Sequence, residues 1–363
     1  MTARRLGTAS FARKVMYGTA ALLVAATTAN AEAVKLGQAT STSLTFGPIF
    51  AAIELGYFKE ENIELEILDF QGASVLLPQV ANKSVTIGFP GPDPLIVSHQ
   101  PGRDPIPVKF FFNGARESIW EFLVKDDSPL KTLKDLRGKT IGIGALANAN
   151  VPITRAMLKE IGLTPKDYSF LAIGIGAAAF RATLNGDVDT YNTFDTNIAA
   201  FETTGAKLRR IAQEQKYKDL FSNGFVAHED TIKQKPELVA GFGRALTKGI
   251  IVCEENPDFC VKNFFKHRPN LKPAGANEAE VLQKGKHILA SRMQKYLAFD
   301  KGQPRRFGEY SEESWKNFVA ALFEGGELSS RDIDVSKLYT NQFVPTFNDF
   351  DLGKIQAQAK SLN

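Results

Sequence analysis

Polar and aromatic side chains gather in a few short stretches of this sequence. "YNTFDTN" carries Tyr191 and Asp195, and "TSTSLTF" carries Thr42, Thr45 and Phe46. "PGPDP" holds Asp93, "NGAR" holds Asn113, and "ALANAN" holds Asn148 and Asn150. A carboxylate accepts hydrogen bonds from an ammonium or a heterocycle N–H, and an amide both donates and accepts. Phe46, Tyr191 and Phe194 offer apolar walls. Such a mixture suits the grip on a small molecule better than the breaking of a bond. The chain has no G-x-S-x-G elbow, no Walker loop and no H-E-x-x-H. His99, His228, His267 and His287 lie far apart, with no ligand spacing among them. "IGIG" occurs at 141–144 and 173–176 without completing G-x-G-x-x-G. No catalytic residue, no metal and no cofactor is therefore expected.

Each candidate also fits a plainer role. Thr45 can cap a helix, Asn148 and Asn150 can shape a turn, and Phe194 can belong to the core. Arg116 reads as an exposed loop residue. Asp195 stands out because it follows a strand end in a polar, aromatic stretch. Its replacement by Ala is expected to weaken solute binding at least tenfold, about 1.4 kcal/mol, with little change in the stability of the empty protein.

The elements that must position these residues alternate. Strands are predicted at 34–38, 63–69, 85–89, 108–113 and 120–124. Helices start at Pro48 and Gly72. The scheme then repeats, with strands in "KTIGI", at 169–173 and at 188–192, and with helices from Pro152 and over 177–184. "FQGASVLLPQVANKSVTIGF" and "IGIGAAAFRATLNGDVDTYN" share one order: strand end, Gly, helix, polar exit, strand. This βαβ organisation implies largely parallel sheets with helices on their faces. Ligands of such sheets sit beyond the carboxyl ends of the strands, where the candidate residues fall. Several of those ends lead into helix N-termini, which favour an anion. After two further strands, "KLRRIAQ" and "FVAHED", the chain is mostly helical. Its apolar stripes there, at three- and four-residue spacing, read as core.

The chain has 363 residues, 44% hydrophobic and 23% charged, enough for two domains. Arg4, Arg5, Arg13 and Lys14 precede an apolar run over 15–26, too short to span a bilayer, and Ala29-Asn30-Ala31 fits small-x-small cleavage. Residues 1–31 thus read as a secretory signal. Without them the balance falls from 44 basic and 40 acidic residues to 40 of each, so no excess charge recruits nucleic acid. In "VCEENPDFC", Asn256-Pro257 breaks the helix between Cys253 and Cys260. A disulfide across that corner is possible in an oxidising compartment, and two separate buried thiols are the alternative.

"GPIFAAIELGYFKEENIELEILDF", "SVTIGF", "DSPLKTLKDLRGKTIGIG", "LNGDVDTYNTFD" and "ENPDFCVKNFFKHRPNLKP" follow one another here. In that order they resemble the substrate-binding proteins of nitrate/sulfonate/taurine-type ABC importers, relatives of the thiamine-pyrimidine precursor binding proteins. The resemblance covers most of residues 33–340. It implies an α/β type II periplasmic binding protein fold, with two lobes joined by two crossing strands and a ligand cleft between them. Lobe one would comprise 33–125 with 224–363 and lobe two 126–223, with crossings near 124–128 and 222–226. Thr45 and Phe46 fall where some pyrimidine-binding relatives carry a polar–aromatic pair. Tyr191 and Asp195 fall in a loop where relatives touch ligand. The eukaryotic synthase branch depends on a cysteine-rich motif that this chain lacks.

The implied protein is periplasmic and monomeric, and not an enzyme. It would capture a small-molecule solute and deliver it to an ABC permease with a cytoplasmic ATPase. A sulfonate or taurine-like anion or zwitterion is the favoured solute, its anionic end at helix N-termini and its amine on Asp195. A pyrimidine or aromatic heterocycle is the alternative, since no arginine clearly belongs to the cleft. A periplasmic enzyme or a sensor-partner protein on the same scaffold are the rival roles.

Overall fold

A computed structural model describes residues 1–3, 31–273 and 275–362. The expected signal segment lies almost wholly outside the described residues. From Ala31 onward the chain forms one compact unit.

The first half opens with β1 (Glu32–Gln38), α1 (Gly47–Glu54), α2 (Tyr57–Glu60) and β2 (Ile63–Asp69). It continues with α3 (Ala73–Ala81), β3 (Ile87–Phe89), α4 (Asp93–Ser98) and β4 (Val108–Asn113). The second half runs β5 (Trp120–Lys125), β6 (Lys139–Ile143), α5 (Asn150–Glu160), β7 (Tyr168–Ala172) and α6 (Ala177–Asn185). It ends with β8 (Thr190–Phe194), α7 (Asp195–Glu202), β9 (Leu208–Ile211) and α8 (Gln215–Lys218). The chain then returns with β10 (Gly224–His228), α9 (Glu229–Gln234), α10 (Pro236–Glu255), α11 (Pro257–His267) and α12 (Glu278–Tyr296). Last come α13 (Glu312–Glu324), α14 (Val344–Phe347) and α15 (Leu352–Ser361).

The strands form two five-stranded sheets, β2-β1-β3-β10-β4 and β7-β6-β8-β5-β9. Both follow one plan. Three parallel strands come from local βαβ units, with Val34 opposite Leu65, Leu36 opposite Ile87 and Ile141 opposite Phe170. The fourth strand is antiparallel and arrives from the other half: β10 pairs with β3 and β4, and β5 pairs with β8 and β9. The sheets are thus mixed rather than largely parallel. Because β5 bonds in the second sheet, the first crossing runs over 114–119 and not 124–128. The return crossing occupies 212–223. The two crossings lie side by side: Gly114 and Ala115 N–H donate to the Asn223 carbonyl (3.2 and 2.8 Å), and Ser222 N–H donates to the Ala115 carbonyl (2.7 Å).

Local sequence accounts for the repeated scheme. Gly72 and Gly176 precede α3 and α6 at φ 115° and 70°, values that L side chains rarely adopt. Apolar alternation on β1 and β2 faces Phe50, Phe58 and the α10 stripe in the larger core. A second core runs from Leu76 and Phe110 to Ile141, Val151 and Leu158, and so joins both halves. Trp315 of α13 closes it, with ring centroids 5.3 Å from Phe110 and 4.7 Å from Phe221 of the return crossing.

The break at Asn256 is real. The Asn256 side chain accepts from Phe259 N–H at 2.9 Å, and Cys253 and Cys260 form a disulfide across the corner, their Cα atoms 5.4 Å apart. Among the described residues no helix is long and apolar enough to cross a membrane.

Candidate functional site between the two sheets

The two strand ends singled out in the sequence are counterparts. β3 leads through "PGP" to Asp93, the first residue of α4, and β8 leads directly to Asp195, the first residue of α7. The stretch after Val188 is thus no loop: β8 extends to Phe194 and the helix starts at once. Both aspartates are buried, at 1% and 5% exposure. Their surroundings differ.

Asp195 meets Arg292 of α12. Arg292 Nε donates to Oδ2 at 2.7 Å and Nη2 donates to Oδ1 at 2.6 Å, while Thr196 N–H also donates to Oδ1 at 2.7 Å. Burial pulls the Arg292 pKa down, and the charge and hydrogen bonds of Asp195 more than offset this, leaving it above the ordinary arginine value. The third guanidinium nitrogen, Nη1, is buried without a partner. Among the described residues no cation pairs with Asp93. Burial, with a smaller contribution from the Glu327 charge, pushes its carboxyl pKa well above the usual range, and Oδ1 lacks a partner.

Between the facing strand ends lies a cavity of about 30 Å³, room for roughly two waters. Gln38, Thr45 and Phe89 border it from the first half, Trp120, Asn148 and Phe194 from the second, and Arg292 from α12. Trp120 and Phe194 meet edge to face, with centroids 6.0 Å apart. The rims touch at several points besides the Asp195–Arg292 pair. Thr45 and Thr196 share a hydroxyl hydrogen bond of 2.9 Å, Ser74 N–H donates to the Ala147 carbonyl at 3.2 Å, and Arg155 pairs with Glu327 at 3.7 Å. The rims are therefore in contact with one another.

Of the residues expected at the site, Thr45 and Asn148 border the cavity. Asp195 stands behind it and orients Arg292. Phe46 lies one layer back, its ring 5.6 Å from that of Phe89. Asp93 lies beside Gly91, another residue of the cavity wall. The others are engaged elsewhere. Thr42 is tied to the Asp69 carboxylate through N–H and Oγ1 (2.9 and 2.7 Å). Asn113 donates to the Glu309 carbonyl at 3.3 Å. Asn150 is buried in the second half against the Asn192 side chain. Tyr191 donates to the Gly174 carbonyl at 2.8 Å and packs with Leu123 and Phe180, and burial pushes its pKa up to about 12. Arg116 is half-buried, donating to the Ala298 carbonyl at 3.1 Å with its guanidinium 4.3 Å from the Phe299 ring centre.

Sequence reasoning missed Gln38, Trp120 and Arg292. Its statement that no arginine belongs to the cleft is corrected by Arg292. A signal existed: Arg292 sits on the stripe of Val281, Gly285, Leu289, Met293 and Tyr296, the buried face of α12. A cation on an apolar stripe needs a buried partner.

Comparison with known proteins agrees with this geometry. Riboflavin-binding protein RibY of Chloroflexus aurantiacus is 25% identical over 86% of each chain. The formylaminopyrimidine-binding protein of Halalkalibacterium halodurans is 22% identical over 76% of this chain and 79% of its own. The 4-amino-5-hydroxymethyl-2-methylpyrimidine phosphate synthase of Schizosaccharomyces pombe is 22% identical over 58% and 62%. Among solved structures, a protein of Bordetella bronchiseptica RB50 matches with TM-score 0.68 at 19% identity, over 87% of this chain and 96% of that one. The alkanesulfonate-binding protein SsuA of Xanthomonas axonopodis pv. citri, bound to MOPS, matches with TM-score 0.63 at 16% identity, over 85% and 98%. These establish the periplasmic binding protein fold. The family model "NMT1/THI5 like" matches residues 43–259, and the chain belongs to that family.

Proposed function

We propose that this protein is the periplasmic solute-binding component of an ABC importer. It closes two lobes over a small planar organic solute and releases it unchanged to a membrane permease with its ATPase. Lobe one comprises the first sheet with the chain from 224 onward, and lobe two the second sheet. The crossings at 114–119 and 212–223 are the hinge.

One observation carries this reading. The cavity between the strand ends is bordered by aromatic rings and by a guanidinium with one free donor. Amide, hydroxyl, guanidinium and aromatic groups hold a molecule rather than attack it, so binding without turnover is the natural use of this set. Two relatives that cover three quarters or more of this chain are named as binding proteins, for riboflavin and for formylaminopyrimidine. They favour a heterocycle over the sulfonate or taurine-like solute that the sequence alone suggested. The sulfonate reading retains one support, the unpartnered Nη1 donor of Arg292, a residue of the cavity border.

A thermal-shift screen of riboflavin, aminopyrimidines, alkanesulfonates, taurine and nitrate tests the proposal, since a bound solute raises the unfolding midpoint by mass action. A raised midpoint with a heterocycle, and recovery of that heterocycle unaltered after incubation, is expected. Conversion of the solute to product refutes a pure binding role.

A further inference from the structure

Two residues that border the cavity each carry a buried polar atom without a partner among the described residues, and the two atoms are of opposite kinds. The first is Gln38 Oε1. Gln38 is 1% exposed, and its Nε2 donates to the Thr40 and Ser41 carbonyls at 3.3 and 2.7 Å. Carbonyl oxygens only accept, so the amide cannot be turned the other way round. The free atom is an acceptor. The second is Arg292 Nη1, on a side chain 1% exposed whose other two nitrogens are held by Asp195. An arginine nitrogen can only donate.

A buried donor or acceptor left unpaired costs about 1–3 kcal/mol, so a solute seated between the parted rims gains by answering both. We infer that the solute presents a neutral N–H/C=O edge, the cis-amide unit of a lactam or ureide ring. Its carbonyl oxygen accepts from Arg292 Nη1, and its ring N–H donates to Gln38 Oε1. This inference rests on the solute-binding reading above and specifies the chemistry of the same cleft.

The charge balance points the same way. Asp195 already compensates Arg292, so the site carries no spare positive charge. An oxyanion offers acceptors only. It would satisfy Nη1, leave Gln38 Oε1 unpaired, and bring negative charge against a carbonyl dipole. The Trp120 and Phe194 rings beside these groups suit the flat faces of such a heterocycle.

The test uses the full mature chain and equilibrium titration with riboflavin, whose ring carries a lactam-type N–H between two carbonyls, and with its N3-methyl derivative, which lacks that donor. Ethanesulfonate is the oxyanion probe. Riboflavin is expected to bind at least tenfold more tightly than the N3-methyl derivative, and ethanesulfonate is expected not to compete. In Gln38→Leu the affinity for riboflavin should fall to that of the methylated compound, while the affinity for the methylated compound stays within twofold. A merely structural role for Gln38 would weaken both equally.

Equal affinity for the two flavins in the natural protein overturns the inference. So does binding of ethanesulfonate without riboflavin, although the solute-binding function would then stand. Failure of riboflavin to bind at all also overturns it. The broader function fails separately, if no solute of the thermal-shift screen moves the midpoint.

Discussion

Arg292 and Asp195 face each other in a buried two-pronged ion pair, 2.7 Å from Nε to Oδ2 and 2.6 Å from Nη2 to Oδ1. The pair joins a helix of the returning chain to the helix that ends the second sheet's central strand. It makes Asp195, which the sequence offered as a solute contact, the partner that sets the position of Arg292 at the cavity.

Asp195→Ala therefore has a larger effect than the sequence suggested. Removing the carboxylate leaves a guanidinium buried and uncompensated, which costs about 3–5 kcal/mol. Urea unfolding of the empty protein should show this loss. Asp195→Asn, which keeps one acceptor, should fall between the natural protein and the Ala variant.

Asp93→Asn should behave in the opposite way. The Asp93 carboxyl has its pKa raised in the folded state, first by burial. The folded protein therefore holds a proton that the unfolded chain releases near pH 4. Above that pH the natural protein loses stability as pH rises, by up to about 1.4 kcal/mol per unit, until the folded-state carboxyl ionises. Asparagine removes this loss. Unfolding midpoints at pH 4.5 and pH 7.5 should show the variant gaining on the natural protein as pH rises.

Gly91→Leu should hold the rims apart. A Cβ at Gly91 would lie 2.5 Å from the Ala149 Cβ on the opposite rim, closer than atoms can approach. Opening relieves the clash without unfolding. Small-angle scattering should report a larger radius of gyration, and solute affinity should fall at least tenfold, about 1.4 kcal/mol. The unfolding midpoint without solute should stay within a few degrees.

Replacing Cys253 and Cys260 together by Ala should lower the unfolding free energy by about 2–3 kcal/mol. This is the loop-closure entropy expected for a bridge across seven residues of separation. Guanidinium titration checks it, and the natural protein under reducing conditions should match the variant.

Much of the fold could be read from local pattern. The strand at 63–69 alternates apolar and acidic residues and appears with those bounds. The repeated Gly-helix-strand unit appears twice with one sheet plan, and the Asn256-Pro257 corner forms as expected. Strand partnership was not local. Residues 120–124 read as one more strand, and nothing within them states which sheet they join or that they run antiparallel. The site was legible where a polar residue met a strand end, as at Thr45 and Asn148. It was illegible where the partner came from far along the chain. Arg292 lies 97 residues from Asp195, on a helix whose apolar spacing announced only core. Gln38 is the last residue of the first strand and looked like ordinary strand-end polarity.

The ladder that ties Ala115 to Ser222 and Asn223 has a mechanical consequence. Two ribbons clamped edge to edge bend readily about one line and resist twisting or sliding past each other. In the proposed closure the lobes would be confined to a single arc that brings Thr45 back opposite Thr196. On the proposed reading, the precision of such a closure is set at the waist, far from the solute.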